Sequence, residues 1–145
     1  KEYLEGVIGK RNMSIIVIKN DLSHIYKISE ALSNNELVCM HADRFLEGNK
    51  TLTAHFLGEP ARFPMGPFLL ASKFKVPVSY VFAVKENNLH YHLFASDIKD
   101  YTAVAKDEIM QQMLTEYVAE IEKKIKQYPE QWFNYYNFWE HPKQD

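Results

Sequence analysis

The chain has 145 residues, a length for one domain or part of one. Hydrophobic residues make up 46% and charged residues 25%, which excludes a disordered chain. Lys plus Arg number 17 against 19 Asp plus Glu, spread without a basic block, so a nucleic-acid partner is not expected.

In chain order, Ser14–Ile18 (SIIVI) is a β-branched run and predicts a buried strand. Asp21 is placed to cap a helix whose apolar stripe is Ile25, Ile28 and Leu32, and Asn34-Asn35 ends it. Leu37–Met40 (LVCM) predicts a second buried strand. Together these form a βαβ unit, with parallel strands covered on both faces. Thr51–Leu57 predicts a weaker strand. Pro64 and Pro67 bracket the entry to a helix over Phe68–Phe74. Val76–Val84 predicts a strong strand, and Asn87-Asn88 turns the chain into its antiparallel partner, Leu89–Phe94.

Asp107–Gln127 carries the clearest helical pattern. Ile109, Met113, Tyr117, Ile121 and Ile125 recur every four residues beside a second row of Met110, Leu114 and Val118. The opposite face holds Glu116, Glu120, Lys123 and Lys124, with Glu120 and Lys124 at ion-pair spacing. Pro129 ends the helix after Tyr128. Six of the eight residues from Trp132 to Trp139 are aromatic. That segment has three readings: core packing, the lining of an acyl groove, or contact with a bilayer interface.

One cysteine, Cys39, excludes an internal disulfide and a Cys-based zinc cage. The longest apolar stretch, Val76–Val84, is far short of the ~20 residues of a membrane-spanning helix. No G-x-S-x-G, G-x-G-x-x-G or P-loop occurs, which removes the common hydrolase and nucleotide-binding signatures.

The candidate chemistry lies elsewhere. Asp43-Arg44 follows the second predicted strand, where a carboxylate can orient a histidine and a guanidinium can hold an oxyanion; a loop salt bridge is the plain alternative. His41 and His55 are candidates for the same crevice. Arg62–Pro67 leads into a helix whose first amides can hold an anion or simply make a rigid turn. His90 and His92, two apart on a predicted strand, share a face and could supply half of a metal site, but no further ligands complete it and none is expected.

The motifs H-A-D-R at 41–44, Gly48, F-L-G-E-P-A-R-F-P-M-G-P-F-L-L-A at 56–71, P-V at 77–78 and Y-P-E-Q-W-F-N-Y-Y-N-F-W at 128–139 occur in one order. That series resembles the bacterial lysophospholipid acyltransferase-like family that includes the lauroyl and myristoyl acyltransferases of lipid A synthesis. The resemblance implies transfer of an acyl chain from an acyl carrier protein or coenzyme A thioester, as co-substrate, to a hydroxyl of a lipid or glycolipid. It implies no further cofactor. It also implies peripheral work at the cytoplasmic face of the inner membrane. The family base is the histidine of H-x-x-x-x-[DE], oriented by its carboxylate.

Only His92, through Asp97, has that spacing here, and it lies downstream of every motif it should precede. The catalytic histidine is therefore expected before Lys1, in a longer polypeptide. On this resemblance Asp43 is the supporting catalytic residue, and Arg44, Gly48, Arg62 and Gly66 are the substrate-binding candidates.

The expected fold is α/β: a mixed, partly parallel sheet with helices on both faces, a late antiparallel hairpin and a C-terminal helix. Residues 1–145 form one unit, the C-terminal part of an acyltransferase-like domain. The isolated chain is expected to be inactive, soluble and homo-oligomeric. Two other readings stand beside this one: a non-catalytic lipid-binding or interaction module, and a metal-dependent enzyme using His90 and His92.

Overall fold

The computed structural model describes residues 13–18, 21–46, 48–135 and 138–139. The chain divides into two compact units, Lys1–Cys39 and Met40–Asp145, each considered by itself.

In the first unit, helix α1 spans Ser23–Ser33. Asp21 caps it from just outside, accepting the Ser23 N–H at 2.9 Å as well as the Ser23 hydroxyl. These donors hold the Asp21 carboxyl below its ordinary pKa. At the other end Asn35 takes a left-handed φ of 58°. Glu36 N–H then bonds Ala31 O and Asn35 N–H bonds Leu32 O, a Schellman closure of the predicted Asn-Asn stop.

The two predicted buried strands are not strands. Ser14–Ile18 and Leu37–Met40 have no ladder partner among the described residues, and Ile15 (73%) and Leu37 (95%) are exposed. Apolar β-branched composition fits a buried strand, but a strand also needs a paired neighbour and cover on both faces, which neither run has among the described residues. The βαβ unit and the parallel part of the sheet are accordingly absent from the described residues.

The second unit is built on two antiparallel hairpins and two helices. β1 (Thr51–Phe56) pairs with β2 (Glu59–Pro64). Leu57 and Gly58 turn the chain with φ of 52° and 95°, the positive pair that a two-residue I′ turn requires. β2 escaped the sequence reading because Pro60 and Pro64 argue against a strand. Their positions resolve the conflict. Met65 N–H bonds Lys50 O at 3.0 Å, which sets the alternation. Pro60, opposite His55, and Pro64, opposite Thr51, then fall at non-hydrogen-bonded pairs, where no N–H is needed for the ladder.

Helix α2 (Met65–Phe74) follows directly, starting three residues before the predicted Phe68, and Lys75 ends it in a left-handed conformation. β3 (Val81–Lys85) and β4 (Tyr91–Ala95) form the late hairpin. The predicted strand from Val76 is shorter than expected. Pro77 lacks an N–H, and Val78 makes only an isolated bridge to Lys99. Helix α3 (Ile109–Gln127) and a 3₁₀ turn (Pro129–Gln131) complete the order. The mixture of helices and strands is the expected α/β class, with the late hairpin and the long C-terminal helix in place. The sheets, though, are two separate antiparallel pairs rather than one mixed sheet.

The inner face of hairpin β1–β2 presents Phe56, Ala61 and Phe63 to the apolar rows of α3, where Met113, Leu114, Tyr117, Val118 and Ile121 are buried. Phe56 has no exposed surface and is ringed by Phe63, Trp132, Phe138 and Trp139 at centroid distances of 5.3–5.8 Å. The Trp139 indole N–H bonds the Phe56 carbonyl at 3.0 Å. Packing is thus the role of Trp132, Phe138 and Trp139 among the three readings of the aromatic segment, whereas Phe133 (57%) and Tyr135 (87%) remain exposed and stack on one another.

The polar face of α3 is not simply solvated. Glu116 is half-buried, its Oε2 bound by Lys99 Nζ at 2.6 Å and by the Tyr101 hydroxyl at 2.8 Å. Lys124 sits over the Phe94 ring, 3.5 Å from its centroid.

Candidate functional site

Alternation along β1–β2 sends Thr53, His55, Pro60 and Arg62 to the face opposite the core. The loop after residue 40 comes to this outer face. Phe45 lies beneath the Arg62 guanidinium, 5.5 Å from ring centroid to Cζ. Arg44 Nη2 donates to the Phe133 carbonyl at 3.2 Å. Arg44 Nε also lies 3.6 Å from Asp43 Oδ2. Through Phe45 and Arg44, neighbours in sequence, this loop touches both Arg62 of the first hairpin and the backbone of the aromatic segment.

Asp43 is largely sheltered, with 19% of its side chain exposed against 52% for Arg44. This is an oriented carboxylate beside a reachable guanidinium, a pair able to fix a polar group of a substrate. It is also the loop salt bridge of the plain alternative; the geometry contains both.

Gly48 and Gly66 fall at one end of the same hairpin. Gly48 has φ +84°, and nothing lies within 4 Å of an added Cβ, so the backbone turn is what calls for glycine there. Gly66 sits in the first turn of α2 with open space around it and no positive φ. Of the amides at that turn, Met65 N–H is taken by Lys50 O and Pro67 has none, which leaves the Gly66 amide on offer. His55 shares the outer face by register, and His41 is exposed in the approaching loop.

The histidine pair resolves differently. His90 lies in the turn rather than on β4, with Nδ1 3.1 Å from Asn87 Oδ1. His92 Nδ1 meets Glu86 Oε1 at 2.9 Å, and its ring stacks on Phe94 at 4.2 Å. Among the described residues no group of three or more His, Cys, Asp or Glu side chains is placed to hold a metal ion. Nor can His92 and Asp97 act as a one-turn dyad, because His92 lies within β4 and an extended chain advances ~3.3 Å per residue.

Sequence reasoning missed Phe45 as the platform for Arg62 and the Phe133 carbonyl as the anchor of Arg44. A backbone carbonyl carries no sequence signal. The F-L run after Asp43-Arg44 could have been noticed as apolar residues in an otherwise polar loop. Among the described residues, no helix is long and apolar enough to cross a membrane.

A comparison with curated proteins finds no match. The family described as bacterial lipid A biosynthesis acyltransferase matches residues 7–141, nearly the whole chain and all five motifs from which the resemblance was drawn. The chain therefore belongs to the bacterial lipid A biosynthesis acyltransferase family.

Proposed function

We propose that this chain is the acceptor-side part of an O-acyltransferase that moves an acyl group from an acyl carrier protein or coenzyme A thioester to a hydroxyl of a lipid or glycolipid. The general base, the histidine of H-x-x-x-x-[DE], is supplied by polypeptide outside these 145 residues. Asp43 plays a supporting catalytic part near that base. Arg44, Arg62 and the Gly48 and Gly66 turns hold the polar portion of the substrate. The work is done peripherally at the cytoplasmic face of the inner membrane.

The observation that supports this reading is the sheltered Asp43 beside Arg44, in the loop whose Phe45 lies against Arg62, in a chain of this family. The isolated chain is inactive on this reading. The test is to sequence the reading frame upstream of Lys1 and assay the extended protein with an acyl thioester donor. An H-x-x-x-x-[DE] motif upstream, with activity that falls on Arg44→Ala, supports the proposal. Turnover by the isolated chain overturns it.

The exposed Phe133–Tyr135 stack beside Arg44 favours a second reading, a lipid-binding module without catalysis. Aromatic rings beside a cation suit a headgroup boundary. If the extended protein turns nothing over while the isolated chain sediments with phospholipid vesicles, and Phe133→Ser abolishes sedimentation, the module reading replaces the enzyme.

A further inference from the structure

The tip of hairpin β3–β4 holds two histidines in the same hydrogen-bonding pattern. His90 O accepts the Glu86 N–H at 3.0 Å, so the pairing runs one step past Lys85 and Tyr91, and His90 stands opposite Glu86. His90 and His92 then share the face of the hairpin on which Glu86 lies. His92 Nδ1 meets Glu86 Oε1 at 2.9 Å. An ionised carboxylate only accepts, so the ring hydrogen of that contact sits on Nδ1. His90 Nδ1 lies 3.1 Å from Asn87 Oδ1. The backbone N–H groups of Leu89 and His90 donate to that same atom at 3.0 and 3.1 Å, which fixes it as the amide oxygen, again an acceptor. Each ring, when neutral, therefore carries its hydrogen on Nδ1 and leaves a bare lone pair on Nε2. Neither Nε2 has a hydrogen bond among the described residues. Both histidines are exposed, and stacking on Phe94 holds the His92 ring in place.

A histidine whose Nδ1–H is held by an oxygen and whose Nε2 is free has the form that binds a metal ion. Two of them on one face of a strand make a bidentate pair, oriented here by Glu86 and Asn87. We infer that His90 and His92 form an open two-imidazole site for a late first-row divalent cation, Cu²⁺ foremost. No third His, Cys, Asp or Glu joins them among the described residues, so the other positions fall to water or a small ligand. That disfavours structural zinc, which takes four protein ligands. It suits Cu²⁺, which heads the affinity order at nitrogen donors and adopts tetragonal geometry. The ion exchanges freely rather than holding the fold, and the site does not rest on the acyl-transfer reading.

Titration of the 145-residue chain with Cu²⁺ tests this, on a Cys39→Ser background so that the exposed thiol does not compete. The expected result is one Cu²⁺ per chain, with imidazole nitrogens in its electron paramagnetic resonance spectrum. His90→Asn or His92→Asn removes the bound ion. Glu86→Ala weakens binding by about 10-fold or more, and Glu86→Gln, which keeps an acceptor oxygen, recovers part of the loss. His55→Asn, on the first hairpin, leaves binding unchanged. One-to-one binding that survives His90→Asn combined with His92→Asn overturns the inference, as does a chain that takes up no Cu²⁺. Should the variants fail to fold, nitrogen-15 spectra of the metal-free chain in mild alkali decide. Bare Nε2 on both rings, quenched first by added Cu²⁺, supports the site; a hydrogen on Nε2 of either ring overturns it.

Discussion

The hydroxyls of Tyr80 and Tyr101 lie 2.9 Å apart inside the core of the second unit. Tyr80 also donates to the Met113 carbonyl at 2.9 Å, and Tyr101 to Glu116 Oε2 at 2.8 Å. Two phenolic protons therefore serve three contacts, and one is shared. The chain of groups ends at Lys99, which grips the same Glu116 oxygen. It joins the segment before β3, the Tyr101 loop and α3 through polar groups that side-chain burial alone would penalise.

Acid should loosen this network. Burial alone would raise the Glu116 pKa, but Lys99, Gln112 and Tyr101 outweigh it and hold the carboxyl below the ordinary value of 4.5. A depressed carboxylate contributes stability that is present above the unfolded value and lost as pH falls through the folded one. Urea melts below pH 4.5 should show falling stability, and Glu116→Gln should flatten that limb while lowering stability at pH 7.

Alkali acts through the phenols. Burial is the main cause raising Tyr80 from 10.0 to about 12, helped by Glu116 and Glu120 and opposed by the Tyr101 contact. Burial first, then the hydrogen bonds to Tyr80 and Glu116, push Tyr101 up as well. A raised phenol contributes stability present in full below pH 10.0 and lost as pH rises toward about 12. Ultraviolet titration should find these two tyrosines ionising later than the exposed ones, and Tyr80→Phe should remove one late step.

Phe56→Ala should cost about 3–5 kcal/mol, the range for deleting a fully enclosed aromatic. The ring has no exposed surface and four aromatic neighbours. Chemical denaturation checks the magnitude. A cost near that of Phe133→Ala, on an exposed ring, would contradict the packing.

Leu57→Asn should stabilise the protein by about 1 kcal/mol, since a left-handed residue with a Cβ carries a penalty of that order that Asn bears more easily. Leu57 holds φ 52° next to Gly58, and Asn-Gly is the preferred pair for such a turn. Its N–H bond to Glu122 Oε1, 2.7 Å, belongs to the backbone and survives the change. A lower melting temperature would contradict this account.

The long helix was legible because a row such as Met113, Tyr117 and Ile121 has only one face to bury. The hairpin turn at Asn87-Asn88 was legible for the same local reason. Ser14–Ile18 misled because composition records what a segment would bury and not whether a neighbour exists. β2 was hidden by prolines that are harmless only in one register, and register is a tertiary fact. At the candidate site, Asp43 and Arg44 stood out by motif. Their tie to Phe133, 89 residues away from Arg44, depends on a carbonyl that every residue possesses.

The bond from Trp139 to Phe56 spans 83 residues of chain. On the ribosome, translation at ~5–20 residues per second leaves Phe56 waiting roughly 4–17 s for the rings that cover it. The first hairpin is thus made early and sealed late, its apolar face open for as long as those 83 residues take to emerge.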